Sequence, residues 1–212
     1  MKDYQDKFIR IALKSEALIF GDFTLKSGRN SPYFFNAAKM LNTKFLTDLS
    51  ECYTKTLQES DISFDSIYGP AYKGIFLASI IGTSFGESDL DIPISFNRKE
   101  EKDHGEGGDI IGQLPSGNVL IVDDVISAGT AARESIEKIK SIGANPKVML
   151  VGLDRQEKGS SEISAKAELE NDFGLTVSSI VNLDLLISFV SDDPNFKEFK
   201  SDLEEYRSNW GA

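Results

Sequence analysis

The chain has 212 residues, a formal net charge of −11 at pH 7, 40% hydrophobic and 27% charged residues. At roughly 100–200 residues per domain this predicts one domain, large enough to bury about 70% of its unfolded surface without staples. The acidic balance argues against a broad nucleic-acid binder, whose affinity rests on Lys and Arg neutralising phosphates, and against an anionic membrane surface. An anionic substrate would need a local basic patch.

The opening residues MKDYQDKFIR lack the apolar core of a signal peptide, and no apolar run approaches the ~18 residues of a membrane span. A cytoplasmic protein is expected by elimination. The first 15 or so residues predict an amphipathic helix with Phe8, Ile11, Ala12 and Leu13 near one face. Residues 20–35 carry closely spaced aromatics around Gly21 and the turn-like Ser27-Gly28-Arg29-Asn30, which predicts a hairpin. Thr43 can cap a second helix running to about residue 59. The single cysteine, Cys52, can form no intramolecular disulfide. With Phe45, Leu49 and Tyr53 at helical spacing, it is expected in the core.

A βα alternation follows. Strands are predicted at 65–68, 92–97, 119–123, 147–153 and 175–181, with helices after 74, over 131–142, over 161–172 and in the tail; 98–109 is expected to be a polar loop. Short apolar strands separated by helices imply an α/β fold, a mostly parallel sheet covered on both faces. Ligands of such sheets sit beyond the carboxyl ends of the strands, so the residues after each strand are the place to look for chemistry.

The strongest signal is Val119-Leu120-Ile121-Val122-Asp123-Asp124-Val125-Ile126-Ser127-Ala128-Gly129-Thr130-Ala131. An apolar strand ends in two carboxylates, small and hydroxyl residues follow, and a helix begins. The free N–H groups and partial positive charge of a helix start suit a phosphate, with Ser127 and Thr130 adding hydroxyl donors. The acids would repel a phosphate. They suit sugar hydroxyls or a magnesium ion. Neither G-x-G-x-x-G nor a G-K-[ST] loop is present, so dinucleotide and Walker readings fall away.

Two further loops stand out. Gly69-Pro70-Ala71-Tyr72-Lys73-Gly74 is a rigid turn that places Lys73 where a second anion could sit. The run from Arg98 to Gly108 puts three cations and the only histidine, His104, among glycines, as a lid over a polyanion would require. With a pKa near 6.5, His104 could donate a proton to a leaving phosphate. A solvated charged loop is the plain alternative.

The 119–131 stretch resembles the phosphoribosyl diphosphate (PRPP) motif of the type I phosphoribosyltransferases. RKEEKDHGEGG (98–108) is similar to the mobile catalytic loop, FTLKSGRNSPYFFN (23–36) to the N-terminal hood and LDRQEKG (153–159) to a later strand end of the orotate phosphoribosyltransferases. The resemblance runs from about residue 20 to 160; no functional motif is evident beyond. Ser127 departs from the Thr usual there, but keeps the hydroxyl.

The resemblance implies a type I phosphoribosyltransferase-like fold in one domain over 1–212, with a small hood formed largely by about 1–40. It implies transfer of the 5-phosphoribosyl group of PRPP to orotate. PRPP would be held by Lys26, Tyr72, Lys73, Arg98, Lys99, Lys102, His104, Asp123, Asp124 and the loop Val125, Ile126, Ser127, Ala128, Gly129, Thr130 and Ala131. Orotate would be held by Phe34, Phe35, Ser127 and Arg155, with Lys102, His104, Asp123 and Asp124 catalytic. Phe34 or Phe35 offers an aromatic face to a flat ring, and Arg155 a planar fork to its carboxylate. Mg²⁺ is expected as cofactor, held mainly through PRPP and water, and a homodimer in which loop 98–109 is shared between subunits. Nucleic acid and membrane are not expected partners. Two other readings are a purine or uracil phosphoribosyltransferase, which would have no use for Arg155, and a PRPP-sensing regulator, which would need a DNA-binding domain or basic face.

Overall fold

The computed structural model describes residues 1–25, 28–60, 62–86, 90–102 and 108–212, with backbone alone for 99–102 and 108. Helix α1 (Asp3–Lys14) leads into the antiparallel strands β1 (Leu18–Thr24) and β2 (Asn30–Phe35), which form a separate two-stranded sheet. A 3-10 turn (Ala37–Met40) precedes α2 (Thr43–Ser60). The α/β body follows: β3 (Ser66–Tyr68), α3 (Lys73–Gly86), β4 (Ile94–Lys102), β5 (Gly108–Gly112), β6 (Asn118–Ile126), α4 (Thr130–Ser141), β7 (Asn145–Asp154), α5 (Ala165–Phe173), β8 (Thr176–Asn182), α6 (Leu183–Asp192) and α7 (Lys200–Trp210). The six-stranded sheet has the order β5-β4-β3-β6-β7-β8 and is parallel except for the β4–β5 pair.

Helices cover both faces, as the apolar strands require. Successive strand residues point to opposite faces, so β6 serves two cores. Leu120 and Val122 pack on the side of α1, α2 and α3; Val119 and Ile121 pack on the side of α4 and α5. Cys52 is fully buried, and its S–H points at the Tyr4 carbonyl at 3.3 Å. The β1–β2 hairpin is clamped to the C-terminal helices: Phe20 stacks on Phe199 at 5.0 Å, and Tyr33 meets Tyr206 edge-on. Helix α1 belongs to the main core against α2 and β8. No described helix is long and apolar enough to cross a membrane.

Three local expectations are corrected. The polar loop at 98–109 begins and ends as a ribbon, with β4 continuing to Lys102 and pairing with β5 in the register Lys102↔Gly108. A run of charges gives no strand signal, yet the ribbon forms because its pairing is made by backbone groups. The helix expected over 161–172 starts only at Ala165, since the Ser164 hydroxyl caps it by accepting from the Ala167 N–H. The cap of α2 is Asn42, which accepts from the Lys44 N–H at 3.0 Å, and Thr43 is the first helical residue.

Candidate active site

The strand alternation that divides the core also divides the two acids at the end of β6. Asp124 falls on the α3 side, is 3% exposed, and accepts from Lys73 Nζ at 2.5 Å. Asp123 falls on the α4 side, where it borders two clefts. Its Oδ1 accepts from the Asp124 N–H at 2.8 Å, and its backbone carbonyl accepts from the Tyr53 hydroxyl at 3.2 Å. The Asp123 carboxyl is pushed up to about 7, first by burial and then by the charge of Asp124. One acid of the pair is thus matched by a lysine. The other carries a charge that folding has left costly.

The first cleft, of about 250 Å³, is lined by Asp123 and by every residue from Val125 to Ala131. Gly129 ends the loop at φ +81°, and α4 starts at Thr130 with no side chain capping its first turn. The free amides of that turn therefore open on the cleft, as anion binding requires. A Cβ at Gly129 would find room, with Ala165 Cβ at 3.6 Å, so the demand for glycine is one of backbone conformation. Gly129→Ala should therefore shift the loop rather than fill it. The expected result is about a tenfold weaker affinity for a 5-phosphorylated sugar, read by calorimetry. Unchanged affinity would take the phosphate away from this loop.

The second cleft, of about 370 Å³, lies between the 69–74 turn, the start of the ribbon and α4. The turn is pressed on β6: a Cβ at Gly74 would lie 2.7 Å from the Val122 carbonyl oxygen. The Ala71–Tyr72 peptide is cis, and the Ala71 N–H donates to Asn97 Oδ1 at 2.8 Å. Asn97, at the end of the apolar part of β4, is a residue that the sequence reading passed over. Its one signal is a lone amide closing an apolar strand. Arg98 lines the same cleft, and its buried Nε has no hydrogen-bond partner among the described residues. Lys138 of α4 pairs with Asp109 of β5 and so ties the foot of the ribbon to the helix beside the cleft.

The structure separates the two phenylalanines of the hood. Phe35 faces the core against Phe8, while Phe34 is 41% exposed and meets Phe23 at 5.7 Å. Adjacent strand residues cannot present the same face, so Phe34 is the one whose ring is open to a flat ligand. Arg155 follows β7, and its N–H donates to the Ile126 carbonyl, next to Ser127. Arg155 is only 5% exposed. Nε donates to Glu157 Oε1 at 2.5 Å, Nη2 donates to the Ser31 and Tyr206 hydroxyls, and the guanidinium lies 4.1 Å above the Tyr33 ring. Arg155 thus joins the strand end, the hood and the last helix. The contribution of that helix was not visible in the sequence.

Lys26 and His104 lie outside the described residues, and Lys99 and Lys102 are placed only by their backbone in β4. Among the described residues no three His, Cys, Asp or Glu side chains converge as a metal site. A hard divalent cation is still compatible with this cleft. Asp123 offers carboxylate oxygen with no ion-pair partner among the described residues, and ligand and water would supply the other oxygens.

Residues 39–168 match the model of the phosphoribosyl transferase domain family. An orotate phosphoribosyltransferase from Marinobacter nauticus is 48% identical over 212 residues, covering all of both chains. The protein of that name from Pseudomonas syringae pv. syringae is 49% identical over the same span. Among solved structures, the orotate phosphoribosyltransferase of Francisella tularensis superposes with a TM-score of 0.84 at 37% identity, over 97% of this chain and 100% of that one.

Proposed function

The chain belongs to the orotate phosphoribosyltransferases, and on that premise we propose that it transfers the 5-phosphoribosyl group of PRPP to orotate, releasing pyrophosphate, with the following division of labour. The observation that carries this reading is the pair of clefts meeting at Asp123. One offers helix-start amides to a 5-phosphate. The other offers Arg98 and the 69–74 turn, with Lys73 and Tyr72, to a pyrophosphate. A ribose bridging the two brings its hydroxyls to Asp123, while Asp124 serves PRPP from the α3 side through Lys73.

Substitution at C1 passes through a transition state with oxocarbenium character, as at other glycosidic carbons. The charged Asp123 faces that developing positive charge, and Asp124 holds Lys73 in register with the leaving group. Lys99, Lys102 and His104 of the 98–109 stretch complete the neutralisation of pyrophosphate, with Lys26 reaching PRPP from the hood side. Orotate lies against Phe34 and the Phe35 backbone, beside Ser127, with its carboxylate on Arg155. Asp123 would help PRPP and water to hold Mg²⁺, which would supply further charge neutralisation of the diphosphate. The ribbon, at the edge of the sheet, is shared with a second subunit and excludes water from the sugar. A buried, unpaired Cys52 and phosphorylated substrates fit a cytoplasmic location.

The test is the ultraviolet absorbance of orotate mixed with the protein and PRPP, with magnesium or with a chelator. Loss of orotate absorbance that requires both PRPP and the metal is expected. Binding of PRPP without any change in orotate would remove orotate as the acceptor and move purine and uracil to the front.

A further inference from the structure

Glu157 is 3% exposed, deep beneath the hood, and it accepts from three donors. Oε1 takes Arg155 Nε and the Tyr206 hydroxyl, each at 2.5 Å; Oε2 takes Arg29 Nη1 at 2.9 Å. Those donors come from the end of β7, from α7 and from the turn of the hood hairpin. Arg29 is held from its other side by the Trp210 ring, 5.0 Å away. The cluster contains two guanidiniums and one carboxylate, so it keeps a net positive charge, with Arg155 and Glu157 buried and Arg29 half-buried. A carboxylate that only cancelled Arg155 would leave no attraction for an anionic base. A lone Arg155 would be an unpaired buried charge, at a cost that its surroundings could not offset.

We propose that Glu157 is a positioning residue for base recognition. It fixes the direction of Arg155 and locks the hood hairpin to the last helix, while Arg29 restores the positive balance that an anionic pyrimidine needs. Glu157 does not touch the base, since both its oxygens are taken and its charge would repel a carboxylate. This role rests on the reading that Arg155 meets the carboxylate of orotate.

Glu157→Gln preserves the shape but not the bonding. Whichever way the amide turns, one guanidinium meets an N–H₂ group where it had an acceptor. The expected result is a KM for orotate raised about tenfold with the KM for PRPP within about twofold, because the change acts on one substrate's site. Arg29→Met, at a half-buried position, should move orotate in the same direction. A scaffold role alone would lower the thermal midpoint and the active fraction while leaving both KM values in place. That outcome, or a parallel rise in both KM values, overturns the proposal. Arg155→Lys separates the layers. An unchanged orotate KM there removes the Arg155 assignment itself. A raised one, beside normal kinetics in Glu157→Gln and Arg29→Met, leaves Arg155 in place and removes the positioning role.

Discussion

Replacing Asp123 with Asn should make the free protein more stable at pH 8 and cut turnover by about 10²–10³-fold, the loss typical of removing one preorganised electrostatic group. The stability gain follows from the direction of the pKa shift. The carboxyl sits near 7 in the folded chain, above its ordinary value of 3.8. A raised acid pKa means that the folded state holds the proton more tightly than the unfolded one. Stability is therefore full below about pH 4, falls as pH rises toward 7, and stays low above it. Removing the charge should recover about 2–4 kcal/mol at pH 8 and almost nothing at pH 4. At roughly 2–4 °C per kcal/mol for a chain of this size, the thermal midpoints of variant and parent should diverge by about 5–15 °C as pH rises. Melting curves from pH 4 to 8, with a chelator present, give the comparison. Parallel curves would mean that Asp123 is not strained by its charge. A stable variant with normal turnover would take it out of the reaction. The strain has a use: a carboxylate that folding disfavours is available to a cation, a sugar hydroxyl or a developing positive carbon.

The acidic pair, the small-residue loop and the alternation of strands and helices were legible because each is a local pattern. Alternation along β6 even implies that Asp123 and Asp124 must face opposite sides, although the sequence alone gave them the same task. What escaped was long-range. Glu157 stands in the LDRQEKG stretch with no signal of its own, because its partners Arg29 and Tyr206 are 128 and 49 positions away. Nothing local distinguishes a carboxylate bound by two arginines from a solvated one. The tail held no motif, and its role lies in where the fold returns it: Tyr206 and Trp210 come back to the hood, and the Trp210 carbonyl accepts from the Lys158 N–H. Asn97 was overlooked for the same reason, because its partner, the Ala71 amide, belongs to a different loop. The ribbon at 98–102 was missed because charged side chains conceal a strand whose pairing is made by backbone alone.

Arg155→Ala should lower stability and orotate affinity together, and the two effects can be told apart. Truncation removes the donors to Glu157, Ser31 and Tyr206 and the cation over Tyr33. Breaking a buried ion pair from one side costs about 3–5 kcal/mol. The lower half of that range applies, since Arg29 still reaches Glu157 at 2.9 Å. A drop of about 10 °C in thermal midpoint follows. If the carboxylate of orotate sits on this guanidinium, the loss of a charged hydrogen bond should raise the KM for orotate about 10²-fold. The KM for PRPP should stay within a few fold, because neither of the two clefts that meet at Asp123 includes Arg155. Instability cannot imitate this. A partly unfolded population lowers the concentration of active enzyme, and so the apparent turnover, but the molecules still folded keep their KM. A lower melting temperature with both KM values unchanged would therefore leave Arg155 as a bolt between hood, strand and helix, and the carboxylate of the base would need another partner.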